Sequence, residues 1–189
     1  MNEIIRLGQT IEGASVSAIN RAAKSAVTAV SKHIRETYNI KKKDLDERIG
    51  VIGRASGERM YATVRVRRGD VRLLLFGAKQ IGKGGRRAGM RGPRLNEGVR
   101  AMVRRGDRRL YRSSDNARGY FIAKMKSGHV GVFVRDMSDK IKERYGIDIT
   151  QRIVTKGGNS KAMEILAKTF TEVYEKRLNH ELLRRVLPD

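Results

Sequence analysis

Apolar residues recur along the chain with two different periods, and the change from one to the other divides it into predicted elements. Over residues 15–38, Ile19, Ala23, Ala26, Val27, Val30, Ile34 and Tyr38 fall at helical spacing, while Arg21, Lys24, Lys32 and Arg35 take the other face. This predicts a long amphipathic helix with Ser15 as its N-cap. Ala18, Ala22, Ala26, Ala29 and Ser25 keep its stripe thin, which allows a neighbouring element to come close. Just beyond, Leu45 and Ile49 lie four apart and predict a short helical turn behind the triplet Lys41, Lys42, Lys43.

From Gly50 the period is two. Met60, Ala62, Val64 and Val66 alternate with Tyr61, Thr63, Arg65 and Arg67 after a Ser56-Gly57 turn, and the apolar run Val71 to Phe76 is expected to complete a three-strand meander. Later in the chain, Tyr120 to Lys126 and His129 to Arg135 flank Ser127-Gly128, the signal of a hairpin with a two-residue turn. Ser160 then caps a last helix in which Met163, Leu166, Phe170, Val173, Tyr174, Leu178 and Leu182 form one stripe, with Pro188 after its end. The expected architecture is an α+β domain over 1–189, its mostly antiparallel sheet split by a loop inserted at 79–112.

Composition removes several kinds of chemistry. The chain has no cysteine, which excludes a disulfide scaffold, a thiolate zinc site, an iron–sulfur cluster and a cysteine nucleophile, and fits a reducing compartment. His33, His129 and His180 show none of the paired spacings of a metal site. Asp44, Asp46 and Glu47 are interleaved with lysines and read as a solvated helical face, so no catalytic group, cofactor or metal is expected. The strongest apolar run is interrupted by Arg72 and is too short to cross a bilayer. Met1-Asn2-Glu3 opens no basic-then-apolar leader, so a soluble protein made in the cytoplasm, without a membrane partner, is expected.

Charge changes the picture more than composition does. The 189 residues carry 42 Lys+Arg against 20 Asp+Glu, a net +22, and residues 79–112 alone hold twelve basic and two acidic residues, or +10. The same stretch contains Pro93 and seven glycines (82, 84, 85, 89, 92, 98, 106), so its backbone is permissive where its side chains are cationic. Like charges at this density oppose a compact state unless a polyanion lies nearby. The stretch is read as a basic arm, with Lys79, Lys83, Arg86, Arg87, Arg91, Arg94, Arg100, Arg104, Arg105, Arg108 and Arg109 as candidate DNA or phosphate contacts and Lys41, Lys42, Lys43 as a secondary patch. No aromatic residue falls within 79–110 to stack on bases, which favours phosphate contacts without sequence readout.

Two fragments imitate nucleotide and RNA motifs. Gly77-Ala78-Lys79-Gln80-Ile81-Gly82-Lys83 matches the first seven positions of a Walker A loop, but Gly84 stands where Ser or Thr would hold magnesium, and the Gly/Pro-rich residues after it cannot propagate the required helix. Ile81-Gly82-Lys83-Gly84-Gly85 looks like the clamping loop of a KH module but lacks the flanking helices. Both follow from glycine and lysine crowding in a basic segment.

Three further features coincide: the word Ala18-Ile19-Asn20-Arg21-Ala22 running through Arg35-Glu36-Thr37 to Ile40-Lys41-Lys42-Lys43-Asp44-Leu45, the Arg/Gly-rich middle, and a late hairpin feeding a C-terminal helix. Together they resemble the minor tail protein Z family of long-tailed bacteriophages, the tail completion proteins. The hairpin Gly119–Arg135, then Ile141-Lys142-Glu143-Arg144-Tyr145-Gly146-Ile147 and a helix with Phe170 and Arg177-Leu178, is also similar to the wider head–tail connector group. The resemblance implies a virion protein of the tail and neck without enzyme activity, assembled in the host cytoplasm as a homo-oligomeric ring around the DNA passage. It implies tail terminator, tape-measure and head-completion proteins as partners, and viral DNA contacted through its backbone. Composition alone would favour the alternative, a free, non-sequence-specific nucleic-acid-binding protein of ribosomal or nucleoid type.

Overall fold

Helix α1 (Asn2–Thr37) runs unbroken for 36 residues in the computed structural model, which describes residues 2–81, 98–111, 119–153 and 160–186. It begins a dozen residues before the expected cap. Ser15 is buried inside it, because Ile4, Leu7 and Ile11 continue the helical spacing upstream and no proline interrupts them. Those first turns have little cover, Ile4 being 78% and Leu7 51% exposed. From Ala14 onward the stripe is sealed, with Ala14, Ala18, Ala22, Ala26, Val30 and Ile34 all buried at four-residue steps.

The described chain divides into two compact units, the first built from residues 1–34, 45–68 and 150–189, the second from 35–44 and 69–149. In the first unit, the short helix α2 (Lys42–Asp46) delivers its buried Leu45, and β1 (Ile49–Gly53) pairs antiparallel with β2 (Thr63–Val66) in the register Ile49↔Val66 and Val51↔Val64. The loop after β1 is tied to α1 by a two-way clamp. Asn20 Nδ2 donates to the Ala55 carbonyl (3.1 Å), and its Oδ1 accepts from the Ala55 N–H (2.9 Å). Helix α3 (Ile149–Ile153) enters the unit with Thr150 Oγ1 donating to the Arg67 carbonyl, and Ile153 is buried. Helix α4 (Lys161–Val186) starts as its sequence predicts: Ser160 Oγ accepts from Met163 N–H at 3.2 Å and donates to the Ile153 carbonyl. Its stripe of Leu166, Phe170, Val173, Tyr174, Leu178 and Leu182 is half-buried, and Phe170 stacks on Tyr174. Near its end Arg185 reaches α1, where a Cβ on Gly13 would meet the guanidinium.

The second unit departs from the expected meander. Val71 to Phe76 forms no third strand beside β2. Arg68-Gly69, with Gly69 at φ 111°, turns the chain into the second unit, where β3 (Asp70–Arg72) pairs antiparallel with the distant β10 (Tyr145–Asp148) and Leu73–Phe76 winds into a 3-10 turn. The 3-10 period buries Leu73 and Phe76 together, three positions apart, where a strand would send them to opposite faces. Two three-stranded antiparallel sheets complete the unit: β4 (Lys79–Ile81), β5 (Gly98–Met102) and β6 (Arg108–Tyr111) in the order β4-β5-β6, and β7 (Gly119–Lys124), β8 (Val130–Arg135) and β9 (Ile141–Glu143) in the order β7-β8-β9. The stretch 79–112, expected as one loop, thus carries three strands at its ends; residues 82–97 lie outside the described ones. The β7–β8 connection is also longer than expected. Met125 N–H donates to the His129 carbonyl and Gly128 takes φ 84°, a turn closed by a left-handed glycine rather than a two-residue loop.

The architecture is mixed helix and sheet, with a long N-terminal helix, small antiparallel sheets and a C-terminal helix. Two substitutions test what holds each unit. Asn20→Ala leaves the buried Ala55 amide and carbonyl without partners and is expected to cost about 1–3 kcal/mol, read from urea unfolding. Gly146→Ala would set a Cβ 2.5 Å from Phe76 Cε2 in the second unit's core, so an overpacking loss of about 1–3 kcal/mol is expected by the same measurement.

Candidate phosphate-binding surface

The register of the β4-β5-β6 sheet sorts its side chains by face. Lys79 lies opposite Arg100, Arg100 opposite Leu110, and Met102 opposite Arg108. Since successive residues alternate, Lys79, Arg100, Met102, Arg108 and Leu110 share one face, while Gln80, Val99, Ala101, Arg109 and Tyr111 share the other. Val99 and Ala101 are buried, whereas Lys79, Arg100 and Arg108 are exposed. The sheet therefore faces the core on one side and presents cations on the other. Over the cationic side lies a cleft of about 410 Å³ lined by Asn39, Gly77, Lys79, Arg100, Ala101, Met102 and Arg108.

The neighbours of this cleft fix its rim. Asn39 Nδ2 donates to the Phe76 carbonyl (3.2 Å) and Asn39 N–H to the Val103 carbonyl (2.9 Å). Gly77 ends the 3-10 turn at φ 68°, ψ 37°, and its N–H bonds back to the Leu74 carbonyl. A left-handed position beside Asn39 suits glycine, since a Cβ there would come 3.3 Å from Asn39 Nδ2 and carry the strain of positive φ. The Walker-like fragment resolves here into a left-handed helix end followed by a strand, not a phosphate loop. Gln80, inside that fragment, is a sheet fastener on the opposite face. Its Nε2 donates to the Gly98 carbonyl (2.8 Å), and its Oε1 accepts from Ile122 N–H (2.9 Å), satisfying the edge of β7.

The candidate contacts named from sequence separate by where the structure places them. The sheet brings Lys79, Arg100 and Arg108 together, and among the described residues no carboxylate pairs with them. Arg104 is exposed where it bridges Tyr38 just after β5. Arg105 and Arg109 have partners: Arg105 N–H and Nε donate to the Thr37 and Arg35 carbonyls at the C-terminal end of α1, and Arg109 Nε lies 3.0 Å from Asp107 Oδ2. Lys83, Arg86, Arg87, Arg91 and Arg94 lie outside the described residues. Lys41, Lys42 and Lys43 are exposed in the same unit as the cleft, immediately before and at the start of α2.

The polar groups away from the cleft serve the fold. On the β8–β9 side, His129 joins Arg72 (3.3 Å) to Glu143 (3.0 Å), and the Tyr145 hydroxyl donates to the other Glu143 oxygen (3.0 Å), a contact that raises the Tyr145 pKa. Tyr111, on the core-facing side of β6, has its pKa raised by burial, opposed by Arg109. Its ring packs on Tyr120 at 5.6 Å, on the face opposite Lys79, Arg100 and Arg108. Asn39, Gln80 and Met102 escaped the sequence reading. Gln80 and Met102 could be placed only by the pairing of strands, and Asn39 only by its bonds to Phe76 and Val103.

A family of phage tail structural proteins, described as prophage minor tail protein Z, matches residues 2–187 of the chain. The protein belongs to that family, in agreement with the short helical words and the hairpin-to-helix order of its sequence. No curated protein and no solved structure matches it. The virion is accordingly its location. Among the described residues no helix is long and apolar enough to cross a membrane.

Gln80→Ala should loosen the second unit without touching the cationic face. The change leaves the Gly98 carbonyl and the Ile122 N–H without these bonds, with an expected loss of about 1–3 kcal/mol and faster amide exchange at Ile122, measured by hydrogen exchange.

Proposed function

We propose that the protein is a tail completion protein: a non-enzymatic virion component at the end of the tail that joins the head. In this reading copies assemble as a ring in the host cytoplasm, bind tail terminator, tape-measure and head-completion proteins, and meet the DNA passage through the basic segment 79–112. The observation that carries the DNA contact is the sheet face on which Lys79, Arg100 and Arg108 stand without a carboxylate partner among the described residues. Family membership supports the tail role, and the +10 charge of 79–112 supports a polyanion as the thing faced. The whole chain acts as one tail-completion module, with the basic segment 79–112 as its arm.

Nuclease-treated, purified particles tested for the chain by mass spectrometry decide between this and the free nucleic-acid-binding reading. The expected result is a fixed, small number of copies that stay with tail proteins after nuclease. Absence from particles, with recovery on host nucleic acid, would install the free binder instead. Arg104→Glu is expected to leave particle assembly intact and to lower infectivity per assembled particle, since Arg104 is exposed and outside both sheet cores.

A further inference from the structure

The cleft on the second unit has an electrostatic peculiarity that a merely solubilising surface would lack. In an antiparallel ladder, directly opposed residues have their Cβ atoms about 4.5–5.5 Å apart, and like charges placed so are destabilising. Lys79 and Arg100 are such a pair, and Arg108, opposite Met102, puts a third cation on the same face one diagonal away. Asp107, which precedes Arg108 in the chain, is engaged with Arg109. Three strands therefore hold three cations against one another across a cleft with the apolar Met102 between the two arginines. Such an arrangement is relieved by an anion lying across the strands, and guanidinium groups suit phosphate oxygens in two-point contact. No aromatic ring lines the cleft, so a base has nothing to stack on.

We propose that Lys79, Arg100 and Arg108 form a preorganised seat for the phosphodiester backbone of duplex DNA, separate from whatever residues 82–97 contribute. It rests on the reading that this protein meets DNA through its basic segment, and narrows that contact to one rigid sheet face. Rigidity matters because strand-borne side chains lose less freedom on binding than those of a glycine-rich segment. The seat reads no sequence, since phosphate contacts position a protein without specifying bases.

Binding of the full-length protein to a duplex oligonucleotide, measured across 50 to 200 mM salt, tests the seat. The comparison is wild type against Arg100→Gln combined with Arg108→Gln, with Arg65→Gln plus Arg68→Gln as a control that removes the same charge from the first unit. The log–log salt slope of the sheet-face variant should fall by about 1.8, or 0.9 per released phosphate contact, so its affinity should drop about tenfold less over that salt range than wild type's. The control should keep the wild-type slope, and the unliganded sheet-face variant should melt at or above the wild-type Tm because the cross-strand repulsion is relieved. An unchanged slope in a variant whose parent binds duplex overturns the seat and leaves the DNA contact to other residues. An equal loss in both variants overturns it in favour of diffuse attraction. A lowered Tm overturns it by making the arginines structural, and a wild-type protein that does not bind duplex removes the DNA contact altogether.

Discussion

How near another element can come to α1 is set by a line of methyl groups. Ala14, Ala18, Ala22 and Ala26 are buried in succession, and side chains this short let a neighbour come near the helix backbone. Backbone brought this close must have its polar groups satisfied, and Asn20 does so for Ala55 with both ends of its amide. The loop after β1 is thereby tied to a helix that on propensity alone would be an ordinary amphipathic rod. Larger side chains on the alanine line would overpack the buried face of α1, so the first unit depends on smallness as much as on hydrophobicity.

Legibility followed local periodicity and stopped where pairing was nonlocal. The body of α1, the turn that buries Leu45, the β1–β2 ribbon, the β7–β8 hairpin and the Ser160 cap were all readable, because each shows its period or its cap within a few residues. The start of α1 was missed because Ser15 carries the chemistry of a cap, although nothing upstream breaks the helix. Val71–Phe76 misled for a different reason: a short apolar run fits a strand or a buried turn equally, and the choice was made by β10, more than seventy residues later. Family resemblance carried further than any single motif, since order and spacing survive where short words are ambiguous.

Charge was legible as a total and only partly as a site. The basic segment was evident, but sequence could not separate Arg105 and Arg109, which are tied to α1 carbonyls and to Asp107, from Arg100 and Arg108, which are not. Alternation along two short strands makes that separation, and it depends on a register set by Gln80 and Val99. The Walker-like fragment shows the same lesson in reverse. Its glycine and glutamine are real structural devices, one a left-handed helix end and the other a bond to the edge of β7, and neither needs a nucleotide to account for it.

The chain passes between the two units four times, at residues 34/35, 44/45, 68/69 and 149/150. During synthesis the second unit has every residue it needs once Ile149 has emerged, while the first still waits for α4 to join a helix made more than a hundred residues earlier. The closing of the first unit is therefore the late, long-range step. No contiguous fragment holds the whole of the first unit without the second, so each half of the first unit's sequence must find the other across the whole length of the second.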